Sequence, residues 1–332
     1  MAALVMKNHG GGAGALELVE LPLPVPRPGE VLVRVAYAPV NPNDLMALRD
    51  AYEVKKPVGS VPGFEGSGRV EGGSGLLARF MLGRRVAFAA SPEGGSWAEF
   101  TTARVVQCVP LRARVNDVQG ATFLTNPMTA MVLLEQARRE GHTAVVQAAA
   151  AGALGTMVAR LAPRLGVTLI NVVRSEAQVA ALRAHGVQHV LDSSKPDFVA
   201  ELSALCRRLH ATLALDPVGG PLTGSLLDAL SERGVVRIYG RLSGAPTSFD
   251  IDAVLFHGKR IEGFTMYDWV KNTSMLRQLL TVMAVQRQLH GPLATEVRRI
   301  APLSDYVSAL GDYERSMSGG KLLFSPGERA TG

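Results

Sequence analysis

Hydrophobic and polar positions follow one pattern up to about residue 117 and another beyond it. In the first stretch, Val31, Val33 and Val35 alternate with Leu32, Arg34 and Ala36. A period of two with β-branched residues predicts a strand. Further short strands are expected at 68–70, 85–88 and 97–100, separated by the Gly-rich stretches 71–75 and 93–96. Asn41-Pro42-Asn43-Asp44 reads as a turn, with Asp44 as the N-cap of a short helix over 45–49. From Asp117 a long helical stretch follows, interrupted by Asn126-Pro127. Strands then alternate with helices: strands at 144–149, 167–173, 189–191, 212–215 and 235–239, with helices over 153–165 and 176–185 among those between them. Gly186 supplies a helix stop. Such alternation predicts a doubly wound parallel sheet. Helices over 273–289 and 306–315 and a strand at 321–324 complete the pattern.

Composition sharpens this. A chain of 332 residues exceeds one ordinary core and suggests two domains, and 47% hydrophobic with 19% charged residues suits a folded globular protein. The two cysteines, Cys108 and Cys206, form no Cys-x-x-Cys motif, which argues against a disulfide framework or a Cys-rich zinc site. Residues 1–7 carry neither a secretory core nor an Arg-rich amphipathic presequence, so a cytoplasmic location is expected. The most apolar window, 144–162, is broken by Gln147, Gly152, Gly155 and Arg160, and is no membrane span. The net charge of +6 is spread over scattered Arg pairs such as Arg84-Arg85 and Arg207-Arg208. That distribution describes a solvated basic surface rather than a nucleic-acid platform.

The candidate chemistry begins after the strand at 144–149, where Ala150-Ala151-Gly152-Ala153-Leu154-Gly155 leads into a helix. A glycine turn between strand and helix lets the backbone approach a pyrophosphate, and the helix N-terminus offers it free N–H groups and a positive dipole end. The next strand ends in Arg174-Ser175 where a dinucleotide site selective for NAD would carry an acidic residue. A guanidinium there suits a 2′-phosphate, which makes NADPH the expected cofactor.

Several segments resemble the medium-chain dehydrogenase/reductase superfamily: Asn41-Pro42-Asn43-Asp44, 62–68 (Pro-Gly-Phe-Glu-Gly-Ser-Gly), Asp216-Pro217-Val218-Gly219-Gly220 and 234–240 (Gly-Val-Val-Arg-Ile-Tyr-Gly). The resemblance covers nearly the whole chain. It is closest to the zinc-free branch of quinone oxidoreductases and mitochondrial-type trans-2-enoyl-thioester reductases. Zinc-dependent members carry Gly-His-Glu where this chain has Gly63-Phe64-Glu65, so no metal is expected. The resemblance implies an α/β fold: a GroES-like β-rich catalytic domain from 1–118 and 270–332, and an NADPH-binding Rossmann domain from 119–269, with the substrate cleft between them. It also implies a homodimer.

Leu124-Thr125-Asn126-Pro127-Met128-Thr129-Ala130 is similar to a cofactor-contacting segment of the enoyl reductases, and Phe264 with Met266 lies in a stretch similar to their nicotinamide site. Together with the turn (Ala151, Gly152, Ala153, Leu154, Gly155), Arg174 and Ser175, the implied cofactor contacts are Asn126, Thr129, Tyr239, Gly240, Arg241, Leu242, Phe264, Met266 and Lys321. Ala153, Arg241 and Thr265 depart from the family pattern. Tyr52 falls where the enoyl reductases place a catalytic tyrosine, and quinone oxidoreductases often have one there too. The expected reaction is hydride transfer to the β-carbon of an activated C=C, as in an enoyl thioester or enone, with Tyr52 serving the enolate as proton donor. An NADPH:quinone oxidoreductase and a non-redox NADPH-binding relative are the alternatives.

Overall fold

The computed structural model describes residues 1–91, 94–315 and 319–327. It divides into two compact units, 1–127 with 286–332, and 128–285. The expected divisions at 118/119 and 269/270 fall earlier in the chain. Residues 117–121 form a helix whose Asp117 is held from the β-rich side: its carboxylate pairs with Arg85 at 2.9 Å, and its carbonyl accepts from Ser67 Oγ.

Unit 1 begins with β1 (Ala2–Met6) and β2 (Leu16–Glu20), an antiparallel pair. Then come β3 (Glu30–Pro39), α1 (Pro42–Leu48), β4 (Glu65–Gly73), α2 (Leu76–Met81), β5 (Arg85–Ala89), β6 (Phe100–Arg104), β7 (Cys108–Pro110) and α3 (Asp117–Ala121). The expected strand at 97–100 is a correction: β6 starts only at Phe100, because the backbone before it turns to other partners. Trp97 N–H donates to Pro62 O, and Leu4 N–H donates to Trp97 O. The Trp97 ring is fully buried, edge-on to Phe324 at 5.2 Å.

Unit 2 holds nearly all of α4 (Asn126–Arg139), then β8 (Ala144–Gln147), α5 (Ala153–Leu161), β9 (Thr168–Val173), α6 (Glu176–Ala184), β10 (Val190–Asp192), α7 (Phe198–Leu209), β11 (Leu213–Asp216), α8 (Pro221–Ala229) and β12 (Val235–Ile238). It continues with α9 (Ile251–Leu255), β13 (Arg260–Gly263), α10 (Met266–Asn272) and most of α11 (Met275–Gln288). The sheet is parallel throughout, in the order β10-β9-β8-β11-β12-β13. This doubly wound arrangement reverses direction between β8 and β11, which marks the carboxyl ends of those strands as the place for a ligand. Its core, with Val146, Ile170, Ala214 and Val236 all fully buried, is apolar in a near-continuous run, as a sheet covered on both faces requires.

Unit 1 is completed by β14 (Val297–Ala301), α12 (Tyr306–Arg315) and β15 (Lys321–Phe324). β15 pairs with β3, giving the order β14-β15-β3-β4-β5-β7, with β6 also on β3. Asn126-Pro127 opens α4 instead of interrupting a helix, because proline is tolerated in a first turn, where its missing N–H has no helical partner to lose. Among the described residues no helix is long and apolar enough to cross a membrane.

Candidate active site

In unit 1 the candidate residues gather around α1. The expectation that Asp44 caps a helix starting at 45 is corrected. Asn41 is the N-cap and Pro42 occupies the first turn, while Asp44 reaches back as the third helical residue. Its Oδ2 accepts the Asn41 N–H at 2.7 Å and its Oδ1 accepts the Phe64 N–H at 3.0 Å. Asp44 therefore ties α1 to the segment entering β4. That segment turns at Gly63, whose φ is +90° and where a Cβ would stand 2.6 Å from Trp97 Cδ1. Only glycine fits there without displacement.

Glu65, singled out from the sequence only by its place after Phe64, is the centre of this region. It is 3% exposed and accepts three N–H groups: Asn41 Nδ2 at 2.8 Å, Thr125 N at 3.0 Å and Leu124 N at 3.1 Å. Asn41 Oδ1 in turn accepts from Lys321 Nζ, which lies 3.4 Å from Val40 O. Lys321, expected at the cofactor, thus spends its ammonium on this buried network. Burial sets the proton affinities. Desolvation pushes the Asp44 carboxyl up to about 7 and brings the Lys321 ammonium down to about 8, while Glu65 is raised for the same reason. The resemblance pointed to Lys321, but no spacing in the sequence joins it to Asn41, Asp44 and Glu65.

Tyr52 lies just beyond α1, half-buried, its ring 5.5 Å from that of Phe64. Buried Lys56 donates to Gly94 O and sits 5.4 Å from the other contact of Tyr52, the Phe64 ring. Desolvation is the main influence on the Tyr52 hydroxyl and raises it, with Asp44 adding to this and a hydrogen bond with Asn43 opposing it. The phenol keeps its proton at neutral pH and can donate it.

In unit 2 the turn residues stand at the carboxyl end of β8. Gly152 caps α5 and brings no side chain, so no side-chain cap covers the first turn of Ala153, Leu154 and Gly155. A Cβ on Gly155 would lie 2.6 Å from Ala150 O and 2.7 Å from Ala149 O, so the helix can approach the strand this closely only with glycine. The left-handed position of the turn is Ala149, at φ +51°. Arg174 follows β9, the neighbour of β8, and is exposed, with no ion pair among the described residues. Ser175 is already engaged: it is the N-cap of α6 and accepts from Gln178 N–H. Tyr239, Gly240, Arg241 and Leu242 follow β12, and Phe264 and Met266 follow β13, its Phe264 N–H bonded to Ile238 O at 2.8 Å. Thr129 is buried in α4, and Asn126 is the buried first residue of that helix, in unit 1. The positions that follow β8, β9, β12 and β13 therefore lie at strand carboxyl ends of one parallel sheet, where a helix N-terminus without a side-chain cap offers free N–H groups.

Among the described residues no group of three His, Cys, Asp or Glu could hold a metal ion. Both thiols are buried and pushed up by desolvation, Cys108 to about 12 and Cys206 to about 11, so neither is a thiolate ligand or nucleophile.

Comparison with known proteins fits this arrangement. Residues 27–113 match the alcohol dehydrogenase GroES-like domain, and residues 153–284 match the zinc-binding dehydrogenase family. A solved structure from Mesorhizobium loti, assigned as an NADPH:quinone reductase, superposes with a TM-score of 0.91 at 30% identity, covering 98% of each chain. The chain belongs to the medium-chain dehydrogenase/reductase superfamily. Within that superfamily it resembles the mitochondrial enoyl-[acyl-carrier-protein] reductases. It is 28% identical to the Homo sapiens protein over 93% of this chain and 84% of that one, and 29% identical to the Xenopus tropicalis protein over 93% and 91%. The GroES-like and Rossmann-type architecture expected for this oxidoreductase is the one found.

Proposed function

We propose that the protein is a zinc-free, NADPH-dependent reductase of activated C=C bonds. Unit 1 is the catalytic domain and unit 2 the cofactor domain. The observation that carries the reading is Arg174: an exposed guanidinium without a carboxylate partner among the described residues, at the end of the strand beside the glycine turn. An acidic residue there would repel a 2′-phosphate, and Arg174 attracts it. The first-turn N–H groups of Ala153 and Leu154 take the pyrophosphate, and Asn126, Thr129, Tyr239, Phe264 and Met266 line the remainder of the cofactor path. NADPH, when bound, supplies a hydride to the β-carbon of an enoyl thioester or enone. Tyr52 holds the proton that the resulting enolate takes at its α-carbon, and its raised proton affinity keeps that proton in place until it is needed.

A quinone as acceptor is the second reading, favoured by the likeness to the Mesorhizobium loti protein. Steady-state consumption of NADPH with crotonyl thioesters, small enones and small quinones separates the two. NADPH binding without turnover on any of them would leave only a non-redox binder. The reading includes a homodimer joined at β13, the sheet edge, beside the exposed Leu255, Phe256 and Tyr267. Sedimentation at micromolar concentration tests it.

A further inference from the structure

One end of unit 1 leaves large apolar side chains in solvent. The six-residue helix α2 buries only Ala78 and Met81. Its Leu76, Leu77 and Phe80 are exposed, and so is Leu82 directly after it. Two other stretches meet α2 there. Gly29 N–H donates to Ser74 O at 3.0 Å, and Val105 N–H donates to Gly29 O at 2.9 Å. The turn at 105–107 also packs against α2 and adds the exposed Val106. All five side chains are 60% to 84% exposed. Exposed apolar residues are ordinary when scattered singly, but a cluster of them marks an interaction surface.

The exposed charges at this end have one sign. The stretches 27–30, 74–84 and 104–107 carry Arg27, Arg79, Arg84 and Arg104, all exposed. Their only acid, Glu30, is buried, and its carboxylate accepts from the Arg27 N–H and the Ser91 hydroxyl. Glu71, shortly before α2, is paired with Arg34. The loop is held in this form by its own arginine: Arg84 Nε donates to Phe80 O at 2.9 Å. A second copy docked through the same face would set arginine against arginine, which disfavours self-association. An anionic lipid surface satisfies both parts, with an acyl boundary for leucine and phenylalanine and negative headgroups for guanidinium. We infer that this end of unit 1 is a peripheral docking surface for an anionic bilayer. Leu76, Leu77 and Phe80 enter the acyl boundary, and Arg79 and Arg104 meet the headgroups. Such attachment needs no spanning helix, and it does not depend on the reductase reading.

Co-sedimentation of the full chain with vesicles tests the surface, using phosphatidylcholine alone and phosphatidylcholine with about 30% phosphatidylserine. Binding to the anionic vesicles should be about tenfold stronger or more. Leu77→Ser combined with Phe80→Ser should weaken it by about tenfold or more. Arg79→Gln combined with Arg104→Gln should weaken binding to the anionic vesicles by about tenfold and leave the neutral ones unaffected. All four positions are exposed, so melting temperature and NADPH affinity should match the wild type. Phe80→Trp reads insertion without removing an apolar side chain: its emission should shift to the blue with anionic vesicles and not with neutral ones. Absence of binding to anionic vesicles, equal binding to both compositions, wild-type binding by the Leu77→Ser, Phe80→Ser protein, or an unshifted Phe80→Trp spectrum overturns the proposal. So does a smaller sedimenting species for the Leu77→Ser, Phe80→Ser protein without lipid, since the face would then join copies of the chain.

Discussion

Around Glu65, two carboxylates, an ammonium and an amide are buried together and spend their hydrogen bonds on one another and on nearby backbone. At the turn before α5 the reverse holds: backbone N–H groups have no side-chain cap, and Arg174 has no ion pair among the described residues. The first arrangement is closed and fixes the chain; the second is open and has something left to give a ligand. The difference teaches that charge in a candidate site is informative only with its partners. Lys321 and Arg174 are both cations at positions that the resemblance assigns to the cofactor, yet one is 2% exposed and engaged, and the other is exposed, with no ion pair among the described residues.

The sharpest way to break the comparison is to open the closed network. Glu65→Ala should cost roughly 3–5 kcal/mol of stability, because it leaves three donors unpaired and Lys321 buried without its compensating charge. Chemical denaturation reads this, and a loss below 1 kcal/mol would mean the network is not closed. Tyr52→Phe tests whether a half-buried phenol beside that network has a chemical role. Turnover should fall by about 100-fold or more with NADPH affinity unchanged, and unaltered turnover removes Tyr52 from the reaction. Arg174→Ala acts on the open region. NADPH affinity should drop by about 10- to 100-fold while NADH affinity stays the same, measured by cofactor fluorescence.

Smaller effects sharpen the contrast. The folded value of the Asp44 carboxyl, about 7, lies above its unfolded value. Its contribution to stability is therefore present below about pH 4 and is lost as the pH rises through about 7. Relative to wild type, Asp44→Asn should gain about 1 kcal/mol or more between pH 4 and pH 8. Parallel stability curves for the two proteins would contradict this. The smallest change concerns the open turn: Ala149, at φ +51°, is a residue where glycine is better tolerated. Ala149→Gly should raise stability by about 0.5–1 kcal/mol in thermal melts, the strain relieved being partly offset by glycine entropy.

Periodicity made β3, the sheet strands of unit 2 and the final helix and strand legible, since long apolar runs bounded by glycine leave few alternatives. It failed at 97–100, where tertiary backbone partners replace a strand ladder, and at α10, a seven-residue helix capped by Thr265 with no clear periodic face. At 41–44 the turn signal was real, but the cap belonged to Asn41, because the Asp44 carboxylate was drawn back to backbone donors on either side of it.

By itself the sequence determined the parallel sheet, the glycine turn at its switch point, the arginine at the end of the next strand and the lack of a histidine beside Glu65. These are local, set by residue type and spacing. Only the tertiary structure decided that Glu65 joins Asn41 to the entry of α4, that Lys321 is turned inward, and that the stretches 27–30, 74–84 and 104–107 meet at one end of unit 1. Those facts depend on contacts between residues 24 to 280 positions apart, and burial there, rather than residue identity, determines which hydrogen bonds are made and which donors stay open.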